Sequence, residues 1–272
     1  MSYQLDDLLY LMQRLRDPQH GCPWDLQQDY ASIVPHTLEE AYEVADAIEQ
    51  GDFEQLRGEL GDLLFQVVYY AQLAGEESRF GWAEVVDGIT RKLVRRHPHV
   101  FPDGNLRTTP GSQALAPEQV KRRWEQIKAE ERAAKAARPE QLSLLDDVPT
   151  ALPALSRAQK LQKRAASAGF DWPEAAPVVD KISEELDEVR EALAAGDNAA
   201  VAEEMGDLLF CVVNLARHLG VDAENALRQG NAKFERRFRF IEEQLREQGA
   251  TVSERALDEL DALWDKAKQQ GL

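Results

Sequence analysis

Apolar residues recur along this chain at the spacing of an α-helix. Leu5, Leu8, Leu9, Met12 and Leu15 mark the first stripe, and similar stripes run through 38–50, 53–75, 82–96 and 117–137. They resume at 152–167, 178–195, 198–219, 222–247 and 256–269. Residues three and four apart share one face of a helix, so each stripe predicts an amphipathic helix with a side to bury. No segment alternates with a period of two between hairpin turns, and the pattern therefore predicts an all-α protein. Two stretches interrupt it. Residues 97–117 (HPHVFPDGNLRTTPGSQALAP) carry four Pro and two Gly, and residues 138–153 (RPEQLSLLDDVPTALP) have the character of a linker.

The polar residues set among these stripes occur twice in the same order. Glu39-Glu40-Ala-Tyr-Glu43 matches Glu184-Glu185-Leu-Asp-Glu188 at an offset of 145, and Glu59 and Asp62 match Glu204 and Asp207 in the same register. Lys92-Leu-Val-Arg-Arg96 then matches Lys233-Phe-Glu-Arg-Arg237 at an offset of 141, and Trp124 and Lys128 match Trp264 and Lys268 at 140. Four blocks in one order predict a tandem duplication of one helical module. The expected organisation is an N-terminal domain at 1–137, a linker at 138–153 and a C-terminal domain at 154–272.

Charge and cysteine content narrow the classes of function. A net charge of −17 opposes general binding of duplex nucleic acid, which needs a positive surface. It does not oppose small phosphorylated ligands, because divalent cations bridge carboxylates to phosphates. Cys22 and Cys211 are the two cysteines, far apart and without a CxxC. They predict neither a disulfide framework nor a zinc site and fit a reducing compartment. The early acids and helical spacing of the first residues are unlike a signal peptide, and no apolar stretch approaches the ~18 residues of a membrane span. The expected location is the cytoplasm.

The duplicated acids carry the chemistry. Glu40 and Glu43 are three apart and project from one face of a helix, and Glu59 and Asp62 do the same on the next. A Gly-Asp turn at 51–52 makes the two helices antiparallel neighbours. Two such pairs facing each other put four carboxylates round a small space, an oxygen-only set that suits Mg²⁺ or Mn²⁺. Glu185, Glu188, Glu204 and Asp207 rebuild it in the second copy. A lone ExxE is usually a solvated helix face, and Thr37-Leu-Glu-Glu40 also fits a capping box. Ser183 in the second copy has no Glu three residues on, so capping does not account for both. Asp62 and Asp207 each precede Leu-Leu-Phe, where a surface acid is unexpected. Gly61 and Gly206 remove a side chain beside the acids, as a crowded site requires. A di-iron bundle would need Glu-x-x-His pairs, and none of the five histidines has a Glu three residues before it.

Lys233 and Arg237, four apart on a helix, are duplicated as Lys92 and Arg96. An ammonium and a guanidinium suit adjacent phosphates. Trp264 and Lys268, like Trp124 and Lys128, offer an apolar face and one more cation, although a helix also buries Trp in a core. A triphosphate and four carboxylates can meet only across divalent cations, with Lys and Arg on the far side. The further acids Glu39 and Glu184 suit a second ion or a general base.

With EExxE, ExxD and KxxxR all duplicated on helices, the chain resembles the MazG family of the all-α NTP pyrophosphatase superfamily. The resemblance spans essentially the full length and includes CPWD (22–25), RGELGDLLFQVV (57–68), RRHPHVF (95–101), RWEQIK (123–128), GFDW (169–172) and EEMGDLLF (203–210). It implies a helical bundle completed by dimerisation. It also implies Mg²⁺-dependent hydrolysis of nucleoside triphosphates to a monophosphate and pyrophosphate, with broad base tolerance. Carried onto the C-terminal half, it implies metal ligands at Glu185, Glu188, Glu204 and Asp207, with catalytic roles for Glu184, Glu185, Lys233 and Arg237. The implied nucleotide contacts are Lys181, Glu184, Lys233, Arg237, Trp264 and Lys268. The N-terminal half keeps Glu40, Glu43, Glu59 and Asp62 for metal. It departs at His36, which stands for Lys181, and at Thr90, which stands for Asn231. The C-terminal half is accordingly the expected catalytic site. Two rival readings stay open: a pyrophosphatase selective for dUTP or dCTP, and a helical regulatory protein whose N-terminal half binds nucleotide without turnover.

Overall fold

The computed structural model describes residues 2–107, 116–135, 143–146 and 148–272. Parts of the 97–117 stretch and of the expected linker lie outside them. Among the described residues there is no strand, and the helices follow the apolar stripes. Helices α1 (Leu5–Leu15), α2 (Pro23–Gln27), α3 (Tyr30–Gln50), α4 (Phe53–Glu76), α5 (Trp82–Arg96) and α6 (Pro117–Lys135) belong to a first unit, Met1–Lys135. Helices α7 (Ala154–Ser167), α8 (Ala176–Ala195), α9 (Asn198–His218), α10 (Ala223–Glu247) and α11 (Leu257–Gln269) belong to a second, Ala136–Leu272.

Each unit is built on a long antiparallel hairpin, α3 with α4 and α8 with α9. The two hairpin turns are chemically identical. Gly51 and Gly196 end their helices at φ 71°, a left-handed conformation that costs an L-residue about 1–2 kcal/mol. Asp52 and Asp197 follow and accept hydrogen bonds from the first free amides of the next helix, Glu54 and Gln55 in one unit and Ala199 and Ala200 in the other. A third helix closes each hairpin, α1 against α4 and α7 against α9.

Helix α3 begins at Tyr30, two turns before the apolar stripe that starts at Leu38. Asp29 caps it by accepting from the Ser32 amide at 2.8 Å, and the chain stays helical through Pro35. Pro35 sacrifices one backbone bond. Ile33, buried to 1% exposure beside Met12, Val68, Tyr69 and Leu73, holds the first turns against that loss. The capping reading of Thr37 fails for the same reason. Thr37 lies inside α3, where its hydroxyl donates to the Ile33 carbonyl and meets the Tyr70 hydroxyl at 2.9 Å. No stripe marks the short α2, because five residues are too few to show one.

The seam between third helix and hairpin is pinned in both units by a cation and an acid, with the polarity exchanged. In the first unit Arg16, just after α1, grips Glu76 of α4 through two bonds of 2.8 and 2.7 Å and also donates to the Asp25 carbonyl. The Tyr69 hydroxyl donates to that same carbonyl at 2.8 Å. In the second unit the cation is on the hairpin: Arg217 of α9 reaches out to Asp171, with Asn214 accepting from the same guanidinium. CPWD and GFDW are thus the segments that supply the seam contacts, Asp25 in one and Asp171 in the other.

Candidate metal and phosphate site

The hairpins bring the EExxE and ExxD acids of each module onto facing helices. Ligand atoms of Glu40, Glu43 and Glu59 lie within 4.8 Å of one another, and so do those of Glu185, Glu188 and Glu204. Asp62 and Asp207 are outside these groups of three. Asp62 is still near enough to act on Glu40. Burial first, and then the charges of Asp62, Glu43 and Glu59, push the Glu40 carboxyl above its ordinary value. Burial and the charges of Glu185 and Glu204 do the same to Glu188, against the pull of Lys181. Carboxylates held this close repel one another, and a cation between them removes the repulsion.

The two clusters differ in enclosure. Glu185 is buried to 4% exposure, and its Oε2 has no hydrogen-bond partner. A buried carboxylate oxygen left bare costs about 1–3 kcal/mol or more, so the donor set fits a hard divalent ion taken up at that oxygen. Glu40 and Glu59 are half-buried and Glu43 is exposed.

The expectation that the second acid of each module is buried in an apolar run is corrected by the structure. Asp62 and Asp207 are exposed, and so are Leu60, Leu64, Leu209 and Phe210 around them. The apolar residues form an open face of this chain rather than its core. The expected crowding at Gly61 and Gly206 is also absent within the chain, where a Cβ built at either position meets no atom within 4 Å among the described residues.

The second difference between the clusters is a cation. Lys181, one turn before the acids on α8, places its ammonium 2.7 Å from Glu184 Oε1 and 2.8 Å from Glu185 Oε1. These contacts raise its pKa and keep it charged. His36 takes the corresponding place on α3, with its ring 3.7 Å from Glu39.

The basic and aromatic residues gather on the later helices of each unit. In the second unit the Arg237 guanidinium lies 5.3 Å from the centre of the Trp264 ring, which also packs on Phe234, and Arg237 Nε donates to the Leu272 oxygen at 2.7 Å. Lys233 is exposed and meets no carboxylate among the described residues, while Lys268 pairs with Asp265 of its own helix at 2.9 Å. In the first unit Lys128 lies 5.8 Å from the Trp124 ring, and the His97 ring stands edge-on to that Trp at 4.9 Å.

Glu131 makes a contact at this site that the repeats do not reveal. It accepts from both Arg95 and Arg96, at 2.6 and 2.5 Å. The Arg96 hydrogen bond, aided by Arg95 and opposed by burial, draws its carboxyl down to about 2. Arg96, the counterpart of Arg237 in the repeat, is therefore engaged by an internal carboxylate. At the offset of the Trp block the second module has Gly271, so a comparison of the two copies at that position is the available signal.

No described helix is long and apolar enough to cross a membrane. A model of the MazG nucleotide pyrophosphohydrolase domain matches the chain twice, at residues 28–101 and 176–239; the first match covers the α3–α4 hairpin and α5, the second the α8–α9 hairpin and most of α10. The chain is 55% identical over 271 residues to the nucleoside triphosphate pyrophosphohydrolase of Escherichia coli K12, covering 98% of both chains. It is 40% identical over 263 residues to the nucleoside triphosphate pyrophosphohydrolase/pyrophosphatase MazG of Thermotoga maritima, covering 97% of this chain and 95% of that one. The Bacillus subtilis protein YabN is 40% identical over 260 residues, which are 95% of this chain and half of that one. Two domain matches on two like hairpins establish the duplication, and with these relatives the chain belongs to the MazG family of nucleotide pyrophosphohydrolases, as an all-α hydrolase.

Proposed function

We propose that this protein hydrolyses nucleoside triphosphates to nucleoside monophosphate and pyrophosphate with Mg²⁺, with broad base tolerance, and so limits abnormal or excess nucleotides. The observation that carries the reading is the pair of three-carboxylate clusters, one of which leaves a buried Glu185 oxygen without a partner. Glu185, Glu188 and Glu204 would hold the ion in the C-terminal half, with Asp207 as the fourth ligand, and Glu40, Glu43, Glu59 and Asp62 would do so in the N-terminal half. When bound, the ion supplies charge neutralisation at the phosphoryl oxygens and acidifies a water for in-line attack.

The chain's own residues do the rest. Glu184, 59% exposed at its side chain and paired with Lys181, is the acid next to the cluster that would serve as general base. Lys233 and Arg237 present charge and a planar fork to the phosphates, and Lys181 and Lys268 add two more cations. Trp264, in contact with Phe234 and Arg237, would supply apolar ring surface to the nucleotide. The expected domain limits of 1–137 and 154–272 keep each cluster with its own following Lys/Arg helix. We assign turnover to the C-terminal half, since the N-terminal half has His36 and Thr90 in place of Lys181 and Asn231 and engages Arg96 with Glu131. Two free cysteines support a reducing, cytoplasmic setting. Apolar side chains left exposed on α4 and α9 support a homodimer that covers them.

The deciding experiment is a panel of NTPs and dNTPs in which pyrophosphate and orthophosphate are followed separately, on the wild type and on Glu185→Gln, Glu204→Gln and Glu40→Gln. Pyrophosphate is expected as first product, falling about 100-fold in the first two variants and little in the third. Orthophosphate as first product would end the pyrophosphohydrolase reading. Loss confined to Glu40→Gln would move the active site to the N-terminal half. Activity confined to dUTP or dCTP would replace broad tolerance with selectivity.

A further inference from the structure

The two carboxylate clusters are alike in their acids and unlike in their counter-charge. In the C-terminal module the Lys181 ammonium spans Glu184 and Glu185 at 2.7 and 2.8 Å, so it already neutralises one of the three acids that would hold metal. In the N-terminal module His36 faces Glu39 at 3.7 Å, an acid outside the cluster, and no cation contacts Glu40, Glu43 or Glu59 among the described residues. A unit positive charge at one ligand and a divalent ion at the same ligands repel each other. At about 5 Å and an effective dielectric of about 20 that repulsion is large enough to change affinity by well over tenfold before screening, and half-burial of the cluster limits the screening.

We propose that Lys181 is a built-in counter-cation that weakens binding of free divalent metal by the C-terminal cluster, so that metal enters there together with a polyphosphate, which draws the ammonium off Glu185. The N-terminal cluster, without such a lysine, takes metal alone. Coupling of this kind is reciprocal: metal favours polyphosphate at the C-terminal site by the same factor that polyphosphate favours metal. Lys181 acts here as a positioning residue, through Glu185, in addition to touching substrate. The inference rests on the proposed metal site, and its test separates the two.

The test is the affinity of Mn²⁺ for the full-length protein without nucleotide, measured by electron paramagnetic resonance and by calorimetry. Glu40→Gln leaves the C-terminal cluster as the one under study, and Glu185→Gln leaves the N-terminal one. In the Glu40→Gln background, Lys181→Met is expected to tighten Mn²⁺ at least about tenfold, while Lys181→Arg, which keeps the charge, does not. In the Glu185→Gln background, His36→Lys is expected to weaken Mn²⁺ by a similar factor. Equal Mn²⁺ affinity in the Glu40→Gln parent and in both of its Lys181 variants would overturn the inference, because a lysine that merely staples one helical turn has no effect on metal. Tighter binding in both substitutions would overturn it too. Should neither cluster bind Mn²⁺ in any variant, even with inorganic triphosphate added, the metal site itself fails and this inference fails with it.

Discussion

At the scale of single residues the acids and the glycines have different explanations. The acids are legible from their spacing and duplication alone, since EExxE and ExxD on consecutive helices fix which side chains can face each other. Their burial is not legible. A Glu-x-x-Asp inside an apolar run looks interior only if that run faces the core of its own chain. Here Leu60, Leu64, Leu209 and Phe210 are exposed, and of the six clustered acids Glu185 is the buried one. Gly206 shows the same gap. It sits mid-helix in α9 with open space where its side chain would be. A glycine there costs about 1 kcal/mol relative to alanine, and nothing in one chain demands it. Gly206→Ala is therefore expected to raise the thermal midpoint of the metal-free protein, by the few degrees that ~1 kcal/mol corresponds to at this size. If the glycine is needed where a second chain or a substrate approaches, activity falls in the same variant. A lowered midpoint in calorimetry would show that the space is filled in solution by something the single chain lacks.

At the scale of elements, the stripes read the helices well and their ends poorly. Helix α3 extends back to Tyr30 because Ile33 is buried, a tertiary fact that outweighs the local cost of Pro35. The pins between elements are not readable, because the partners lie far apart in sequence, as Arg16 and Glu76 do, and pair with opposite polarity in the two copies. Glu131 is the pin with the clearest consequence. It joins α6 to the last turn of α5 through Arg95 and Arg96, and its carboxyl is drawn from an ordinary 4.5 to about 2. A depressed acid stabilises the folded state above its unfolded pKa, and that contribution disappears as pH falls through the folded value. The Glu131 contribution is thus complete above about 4.5 and gone below about 2. Glu131→Gln should lower stability at neutral pH by about 1 kcal/mol or less, since Arg95 is largely exposed. It should also flatten the acid limb between those values. Urea unfolding of wild type and variant at a series of pH values measures both, and parallel acid limbs would show that the pin contributes nothing.

At the scale of the whole molecule, the exposed apolar residues ask for a partner of like chemistry. In the first unit they include Leu60, Leu64 and Val67 on α4, and in the second Met205, Leu209, Phe210 and Val212 on α9. These are equivalent surfaces of duplicated hairpins, on the helices that carry the ExxD acids. An apolar face of this kind is uncommon on a monomer, and the proposed pairing of two identical chains by a two-fold axis would cover it with the same residues on both sides. Full burial of a large aliphatic side chain contributes about 1.5–3 kcal/mol and covering one already half-buried contributes about half of that, so one charged substitution on the face is costly to the assembly and nearly free in the isolated chain. Leu209, 52% exposed, and Leu64, 39% exposed, are suitable positions. Leu209→Glu and Leu64→Glu are expected to shift the protein from dimer to monomer in sedimentation equilibrium while its helical circular dichroism is retained. Pyrophosphate release should fall with the dimer if the second chain completes the site, and Leu209→Glu, on the helix that carries Glu204 and Asp207, should lower it further than Leu64→Glu. A wild type that sediments as a monomer at micromolar concentration would remove the dimer from the reading. The exposed faces of α4 and α9 would then be left to the substrate or to another protein.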